Sequence, residues 1–291
     1  MLKPVTIIDP ETKVESVRPA WSRNYANEQT GRLKRVFRWA AENELIPVAT
    51  HQAIATVAGL RKGQSDARET EPVEPVPQGD IDAVLRKEGN PARYVFVSRQ
   101  IAAMIQLQLL TGMRPGEVCQ ICATDIEMSG PVWTYRPEKH KNAHRGQTRD
   151  IRIGPKAQAV IQPFLTTDLR AYLFRPADAD RELRLARKAA RQTPTNCGNT
   201  PGSNRVTNPM KRPGNIYAVG TYRNAIARAC KRAGVTPWHP HALRHNAATA
   251  IRKEFGLEAA RVVLGHRSPG VTQIYAEIDG AKAAEAMAKI G

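Results

Sequence analysis

Hydrophobic and polar positions alternate with the period of an α-helix along most of this chain. Over residues 21–45 the apolar side chains recur every three or four positions with basic residues between them, until Pro47 interrupts the pattern. A second short helix is predicted over residues 50–60. Two helices make a thin core for an independent domain, so this N-terminal part is predicted as a partial helical domain.

A proline- and glutamate-rich segment separates this part from the rest of the chain. Three prolines and three glutamates lie between residues 69 and 77, and this composition resists both helix and strand. We therefore predict a linker over residues 71–79. The partial helical domain then covers residues 1–70, with an irregular lead over residues 1 to about 18, and a larger domain covers residues 80–291.

The larger domain is predicted as a mostly helical body with one β-hairpin. Asp80 has the side chain of a helix N-cap, Gly112 is typical of a helix end, and Pro115 is typical of a first helical turn. The strand-like runs 132–135 and 150–153 are joined by a long basic loop. The fold class is therefore mainly α with a small β-hairpin or sheet (α+β). Helices are predicted at 81–87, 97–110, 156–162, 178–191, 220–233, 241–255, 258–264 and 271–277.

The charge balance indicates a polyanionic partner. The 291 residues include 44 Lys and Arg against 27 Asp and Glu, a formal net charge of +17, and their 41% hydrophobic content is that of a folded protein. Nucleic acid is the first candidate and an anionic membrane surface the second. Residues 183–253 contain no Asp or Glu, which favours a phosphate-binding surface there. The candidate DNA-binding residues in that region are Arg187, Lys188, Arg205, Lys211, Arg212 and Arg223.

Several other classes fit the sequence poorly. No apolar run has the length of a membrane span, and the polar start is unlike a secretory signal. Four cysteines suit a reducing cytoplasm rather than a disulfide scaffold. Cys119 and Cys122 form a C-x-x-C pair without a second pair, a pattern that favours two buried helix residues over a metal or redox site. Without a two-metal carboxylate cluster or a Walker loop, we expect no metal and no cofactor.

Four short strings carry the candidate chemistry: TGMRPGEV, KHKNAHRG, HALRH and LGHRSPGVTQIY. Each string alone has an ordinary explanation as surface or core. Together they supply the groups needed to attack a phosphodiester: a tyrosine nucleophile, proton-transfer groups, and arginines whose planar fork pairs with two phosphate oxygens. A lysine near other cations can also protonate a departing alkoxide, because its pKa falls readily.

In order and spacing, these strings resemble the tyrosine recombinase, or phage integrase, family, whose catalytic fold is shared with type IB topoisomerases. The resemblance covers roughly residues 80–281 and implies that fold for this domain, preceded by a partial helical core-binding domain. It implies a supporting role for Glu117, and it leaves Lys139 as the alternative to Lys141. The catalytic residues that it implies are Arg114, Lys141, His241, Arg244, His266 and Tyr275.

The resemblance implies cutting and rejoining of DNA by transesterification. Tyr275 would form a 3′-phosphotyrosine, Arg114 and Arg244 would hold the non-bridging oxygens, and Lys141 would protonate the leaving 5′ oxygen. One ester replaces another, so neither metal nor ATP is required. The expected partner is double-stranded DNA and no membrane. The protein would be a homo-tetramer on DNA, a monomer or weak oligomer when free, and DNA-associated in a prokaryotic cytoplasm.

Two alternatives stay open beside a site-specific recombinase or integrase of a mobile element. The first is a type IB topoisomerase-like activity that relaxes DNA. The second is a truncated DNA-binding remnant without full recombination activity, because the part before Pro72 resembles only the C-terminal half of a core-binding domain.

Binding to random-sequence duplex DNA is expected to weaken steeply with salt. If the region 183–253 contacts roughly six phosphates, affinity should fall about 1000-fold between about 50 and 200 mM salt, because condensed counterions are released. The exchange Arg223→Ala should lower the slope of log K against log salt by about one. Fluorescence anisotropy with a labelled duplex measures both quantities, and a shallow salt dependence would contradict a phosphate-contacting surface.

Overall fold

The chain divides into two compact units, Met1–Pro72 and Val73–Gly291. The computed structural model describes residues 4–8, 15–18, 20–71, 73–89, 93–139, 148–194, 197 and 212–265. Within them the protein is mainly helical with small antiparallel sheets, so the predicted α+β class is confirmed.

The first unit begins with a short antiparallel pair rather than a wholly irregular lead. Strand β1 (Val5–Ile8) pairs with strand β2 (Glu15–Arg18), and Val5 lies opposite Arg18. The predicted irregular lead over residues 1 to about 18 is wrong for these eight positions. Valine and isoleucine favour extended backbone only when a partner strand is available, and a local pattern does not reveal that partner.

Two helices follow in the first unit, α1 (Arg23–Glu42) and α2 (Val48–Ala55). The Ser22 hydroxyl accepts a hydrogen bond from an amide of the first turn of α1 and caps that helix. Asn27 of α1 is bonded reciprocally to Leu60 beyond α2, at 2.9 and 2.7 Å, so the two helices are held together. Both helices predicted for this part are confirmed, with shifted ends.

The core of the first unit is small. Among its described residues the buried apolar side chains are Ala26 and Ala67. Three larger apolar side chains of α1, Leu33, Val36 and Trp39, are each more than half exposed. The thin core predicted from two helices is therefore confirmed.

The second unit starts with helix α3 (Gln78–Val84). Pro77 occupies the N-cap position, and Asp80 lies in the first turn, so the prediction of Asp80 as N-cap is wrong. The fixed backbone of Pro77 starts the helix earlier, and Asp80 instead places a negative charge near the helix N-terminus. Just before α3, the Val76 amide donates to Asn246 Oδ1 at 2.9 Å and its carbonyl accepts from Asn246 Nδ2 at 2.7 Å.

Helix α4 (Arg99–Thr111) is the centre of the second unit. Its residues are buried along most of its length, and it packs against neighbouring helices and a strand of the sheet. It ends, as predicted, at Gly112, whose φ of 64° lies in the left-handed region that favours glycine. Helix α5 (Pro115–Cys119) then begins at the predicted proline.

The main sheet has three antiparallel strands: β5 (Ile126–Glu127), β6 (Trp133–Tyr135) and β7 (Ile151–Ile153). The β6–β7 pair is the predicted hairpin, with Trp133 opposite Ile153. Strand β5 was not predicted because two residues are too short for an alternating pattern. A second unpredicted pair, β3 (Lys87–Glu88) with β4 (Arg93–Tyr94), is equally short.

The remaining helices agree with the predicted positions. They are α6 (Pro155–Ile161), α7 (Pro176–Ala189), α8 (Val219–Ala233) and α9 (Pro240–Leu264). Helix α9 contains the two helices predicted over 241–255 and 258–264, separated at Gly256, where φ is 87°. The helix predicted over 271–277 lies outside the described residues.

The break at Gly256 allows the second half of α9 to reach the end of α4. An ideal Cβ on Gly112 would lie 2.7 Å from Leu264 Cδ2 and 3.5 Å from the Ala247 Cβ. The two halves of α9 therefore meet at the turn that ends α4. Within the described ranges, no helix combines the length and apolarity needed to span a membrane.

The exchange Gly112→Ala is expected to destabilise the second unit more than Gly234→Ala. Both glycines have positive φ, but a Cβ on Gly234 meets nothing within 4 Å. Gly234→Ala should cost about 1 kcal/mol through backbone strain alone, and Gly112→Ala roughly 2 to 4 kcal/mol because it also displaces Leu264. Urea unfolding measures both losses, and equal losses would show that the close packing at Gly112 contributes nothing.

Candidate active site

Arg114 and Glu117 form the first part of the site at the start of α5. The Glu117 carboxylate accepts from the Arg114 backbone amide at 2.7 Å and from Arg114 Nη1 at 2.8 Å. Glu117 is only 3% exposed, whereas the Arg114 side chain is 29% exposed. Arg114 is therefore held from the buried side by a carboxylate and retains access to solvent.

The backbone around Arg114 is fixed by buried polar groups. Gln108 of α4 donates from Nε2 to the Met113 carbonyl at 3.0 Å, and the Thr111 hydroxyl donates to the Leu107 carbonyl at 2.6 Å. From the sheet, the Tyr135 hydroxyl donates to the Glu117 carbonyl at 2.9 Å. The turn between α4 and α5 is thus supported by both a helix and a strand.

Arg244 lies inside the protein beneath this turn. It is 1% exposed, and Nη1 donates to the Gly112 carbonyl at 2.6 Å while Nη2 donates to the Leu264 carbonyl at 2.7 Å. These two bonds join the end of α4 to the end of α9. The sequence placed Arg244 beside Arg114 at a phosphate, and the structure brings the two arginines into one neighbourhood with Arg244 on the inner side.

Two histidines of α9 lie beside the arginines. His241 and His245 meet edge to face with ring centroids 5.6 Å apart. Partial burial lowers the pKa of His241, and the charges of Arg244 and Arg114 lower it further. Burial, followed by the charge of His241, lowers the pKa of His245 to about 4. Both rings are therefore neutral near pH 7, and His241 can accept a proton.

Arg149 is a further charged residue of this site, and the sequence analysis missed it. Its side chain is 7% exposed; Nε lies 3.6 Å from Glu117 Oε1, and Nη1 donates to the Val263 carbonyl at 3.2 Å. The alternation along β7 offered a signal. Ile151 and Ile153 are buried, and the same period of two places Arg149 on the inward face.

Other predicted residues lie at the surface or outside the described ranges. Lys139 is exposed, and its carbonyl accepts from Gln120 Nε2. Four predicted DNA-binding residues are exposed, and their role stays a prediction: Arg187, Lys188, Arg212 and Arg223. The structure does not describe Lys141, Arg205, Lys211, His266 or Tyr275.

The described part of the site has an excess of positive charge. Arg114 and Arg149 share one carboxylate, that of Glu117, and Arg244 lies close by at the Gly112 carbonyl. Unbalanced positive charge in a partly buried site favours an anionic ligand. Because guanidinium stays charged at all working pH values, the arrangement fits a phosphate group.

The cysteines of the C-x-x-C pair do not contribute ionised sulfur to the site. Burial raises the pKa of Cys119 to about 12 and, together with the Asp125 carboxylate, that of Cys122 to about 11. Both are therefore thiols near pH 7, which does not suit an activated nucleophile. Among residues that the structure describes, no three His, Cys, Asp or Glu side chains are grouped to hold a metal ion.

A family model matches most of the second unit. The model described as "Phage integrase family" matches residues 90–282, which is more than half of the chain. The chain therefore belongs to the phage integrase family.

The chain also resembles curated tyrosine recombinases, at about one quarter sequence identity. The chain is 25% identical over 185 residues to tyrosine recombinase XerC of Azotobacter vinelandii, a match that covers 63% of this chain and 50% of the relative. It is 25% identical over 239 residues to XerC of Bifidobacterium longum subsp. infantis, covering 79% of this chain and 59% of the relative. The chain thus spans about half to three fifths of the length of these relatives.

Solved structures share the fold. The Tn1549 transposon integrase in complex with circular intermediate DNA has a TM-score of 0.55 at 17% identity, with 91% of this chain and 79% of that chain covered. A lambda integrase dimer bound to a core site has a TM-score of 0.50 at 19% identity, with 89% and 75% covered. The predicted tyrosine recombinase fold of the second unit is therefore confirmed.

In the variant His245→Gln, the free energy of unfolding is expected to fall less steeply between about pH 7 and about pH 4 than in wild type. Below its ordinary pKa of about 6.5 the unfolded-state imidazole binds a proton, while the folded-state imidazole stays neutral to about pH 4. The unfolded state therefore binds more protons in this window, so stability is present above it and is lost as pH falls through it.

The measurement is urea unfolding at about pH 7.5 and about pH 4.5 for wild type and His245→Gln. Comparing each protein with itself at the two pH values removes the general effect of the exchange. The loss on acidification should be smaller for the variant, and an equal loss would show that His245 is not the group responsible.

Proposed function

We propose that this protein is a site-specific DNA recombinase or integrase that cuts and rejoins DNA through a 3′-phosphotyrosine at Tyr275, without metal or ATP. One observation carries the proposal: Arg114, Arg244 and His241, from motifs more than 120 residues apart in sequence, lie in a single cluster around the Gly112 turn. Membership of the phage integrase family supports the same activity.

The arginines would hold the scissile phosphate with different parts of their side chains. Arg114 is partly exposed and fixed by Glu117, so its remaining N–H groups would bind the non-bridging oxygens. Arg244 uses two of its donors on backbone carbonyls. It would therefore add its positive charge from the inner side of the site.

The proton transfers fall to histidine and lysine. His241 is neutral near pH 7 because burial and two arginines lower its pKa, so it would take the proton from the Tyr275 hydroxyl. Lys141, or Lys139 as the alternative, would protonate the leaving 5′ oxygen. His266 would donate a further hydrogen bond to the phosphate. The displaced 5′-hydroxyl, or that of a partner duplex, would then attack the phosphotyrosine and release Tyr275. One phosphodiester bond is thus broken and one is formed.

The proposed partner is double-stranded DNA. The structural neighbours named above are an integrase with circular intermediate DNA and an integrase dimer on a core site. We extend DNA binding to this chain, with the acid-free region 183–253 as the phosphate-contacting surface. The proposal includes a homo-tetramer on DNA, residues 1–70 as a partial core-binding domain, residues 71–79 as a linker, and a prokaryotic cytoplasm as the location.

A nicked suicide duplex tests the nucleophile. Duplexes from both flanks of the protein's own gene are incubated with wild type in EDTA and without nucleotide, and SDS gels detect a covalent adduct. We expect an adduct with wild type and none with Tyr275→Phe, because only the phenol oxygen can form the ester. The matched control Tyr172→Phe, which removes another hydroxyl of the same unit, should retain the adduct.

Each other outcome selects an alternative. An adduct that survives in Tyr275→Phe would remove Tyr275 as nucleophile, and an adduct lost only in EDTA would contradict metal independence. Relaxation of supercoiled plasmid without junctions between two duplexes would favour the topoisomerase-like activity. DNA binding without an adduct would favour a DNA-binding remnant.

A further inference from the structure

We propose that Arg149 is a positioning residue of this active site. Through one buried guanidinium it joins Glu117, which holds Arg114, to the end of α9, which leads to His266 and Tyr275. The inference rests on the proposed function. It adds to the site a residue that lies outside the four motifs and does not itself react.

The first contact of Arg149 is with Glu117. Oε1 of Glu117 accepts from Arg114 Nη1 at 2.8 Å and lies 3.6 Å from Arg149 Nε, so two arginines share one carboxylate oxygen. Arg149 and Glu117 are nearly inaccessible to water, at 7% and 3% exposure. In such surroundings a charge without its partner is costly, so each group restricts the movement of the other.

The second contact of Arg149 is with the C-terminus of α9. Its Nη1 donates to the Val263 carbonyl at 3.2 Å, next to the Leu264 carbonyl that accepts from Arg244. Cations at this end also complement the helix dipole. A Cβ on Gly265 would overlap Arg149 Nη1, so a larger residue there would displace the arginine from the helix end.

The described contacts of Arg149 are with the protein, namely the Glu117 carboxylate and the Val263 carbonyl. Within the described ranges, its Nε and Nη2 atoms are shielded from water and have no hydrogen-bond acceptor in reach. Burial lowers the pKa of Arg149 and Glu117 opposes that shift, which identifies the carboxylate as its charge partner. Arg149 therefore acts through Glu117 and α9 rather than on the phosphate.

Two described parts of the site consequently depend on one side chain. Glu117 positions Arg114, and Val263 lies at the end of α9, three positions before His266 in the sequence. A displacement of about 1 Å between reacting groups can slow a reaction about 100-fold. Loss of Arg149 should therefore affect the reaction more than the binding of DNA.

The test compares Arg149→Lys and Arg149→Gln with the matched control Arg152→Gln. Arg152 lies on β7, three residues after Arg149, but is exposed; it pairs with Asp150 at 3.7 Å and donates to the Thr134 hydroxyl at 2.7 Å. We expect both Arg149 variants to slow single-turnover cleavage of the suicide duplex at saturating protein, the glutamine variant about 10- to 100-fold and the lysine variant less. The dissociation constant for the same duplex should change less than about threefold, and Arg152→Gln should cleave at the wild-type rate.

A double-mutant cycle separates positioning from a general structural effect. If Arg149 acts through Glu117, then Arg149→Gln should slow cleavage little further in a Glu117→Gln background. Multiplicative losses, wild-type rates in both Arg149 variants, or equal losses in Arg152→Gln would each overturn the proposal. If Arg149→Gln fails to fold, Arg149→Lys takes its place, because lysine keeps the positive charge. Its cleavage rate is then compared with those of wild type and Arg152→Gln, alone and in the Glu117→Gln background.

Hydrogen exchange supplies a readout that does not depend on cleavage. Amide exchange at Val262–Gly265 and at Glu117 should accelerate in Arg149→Gln relative to wild type and Arg152→Gln. Unchanged exchange would overturn the proposed connection even in an active enzyme. If wild type forms no adduct, the proposed function fails, whereas accelerated exchange would still show that Arg149 joins the two segments.

Discussion

The second unit depends on one buried guanidinium that satisfies two helix ends. Helices α4 and α9 both end at a left-handed glycine, Gly112 and Gly265, and each leaves carbonyls without partners inside the helix. Where such an end is buried, water cannot supply the missing donors. Arg244 supplies them, with one N–H group at Gly112 and another at Leu264. The two helix ends are thereby held at one place.

The charge of the site follows from this arrangement. A buried arginine needs compensation, and Glu117 is the carboxylate that Arg114 and Arg149 share. Positive charge therefore remains in excess, which favours an anionic ligand. Burial lowers the pKa of His241, and the charges of Arg244 and Arg114 lower it further, so a neutral histidine lies next to the arginines. Membership of the phage integrase family agrees with this chemistry.

Much of the fold could be predicted because its signals are local. The glycine at the end of α4, the proline at the start of α5 and the two strands of the hairpin were all located from patterns spanning a few residues. Predictions failed where a distant partner decides the structure. Strands β1 and β2 need each other, the two residues of β5 need β6, and Pro77 rather than Asp80 begins α3.

The sequence by itself determined the helical periodicity, the end of α4, the start of α5, the excess of positive charge and the order of the motifs. Only the tertiary structure decided that Arg244 is enclosed, that Arg149 shares Glu117 with Arg114, and that His245 has a pKa of about 4. The physical reason is range. Periodicity and capping act between residues a few positions apart, whereas desolvation and ion pairing depend on which distant segments the packing of the core brings together.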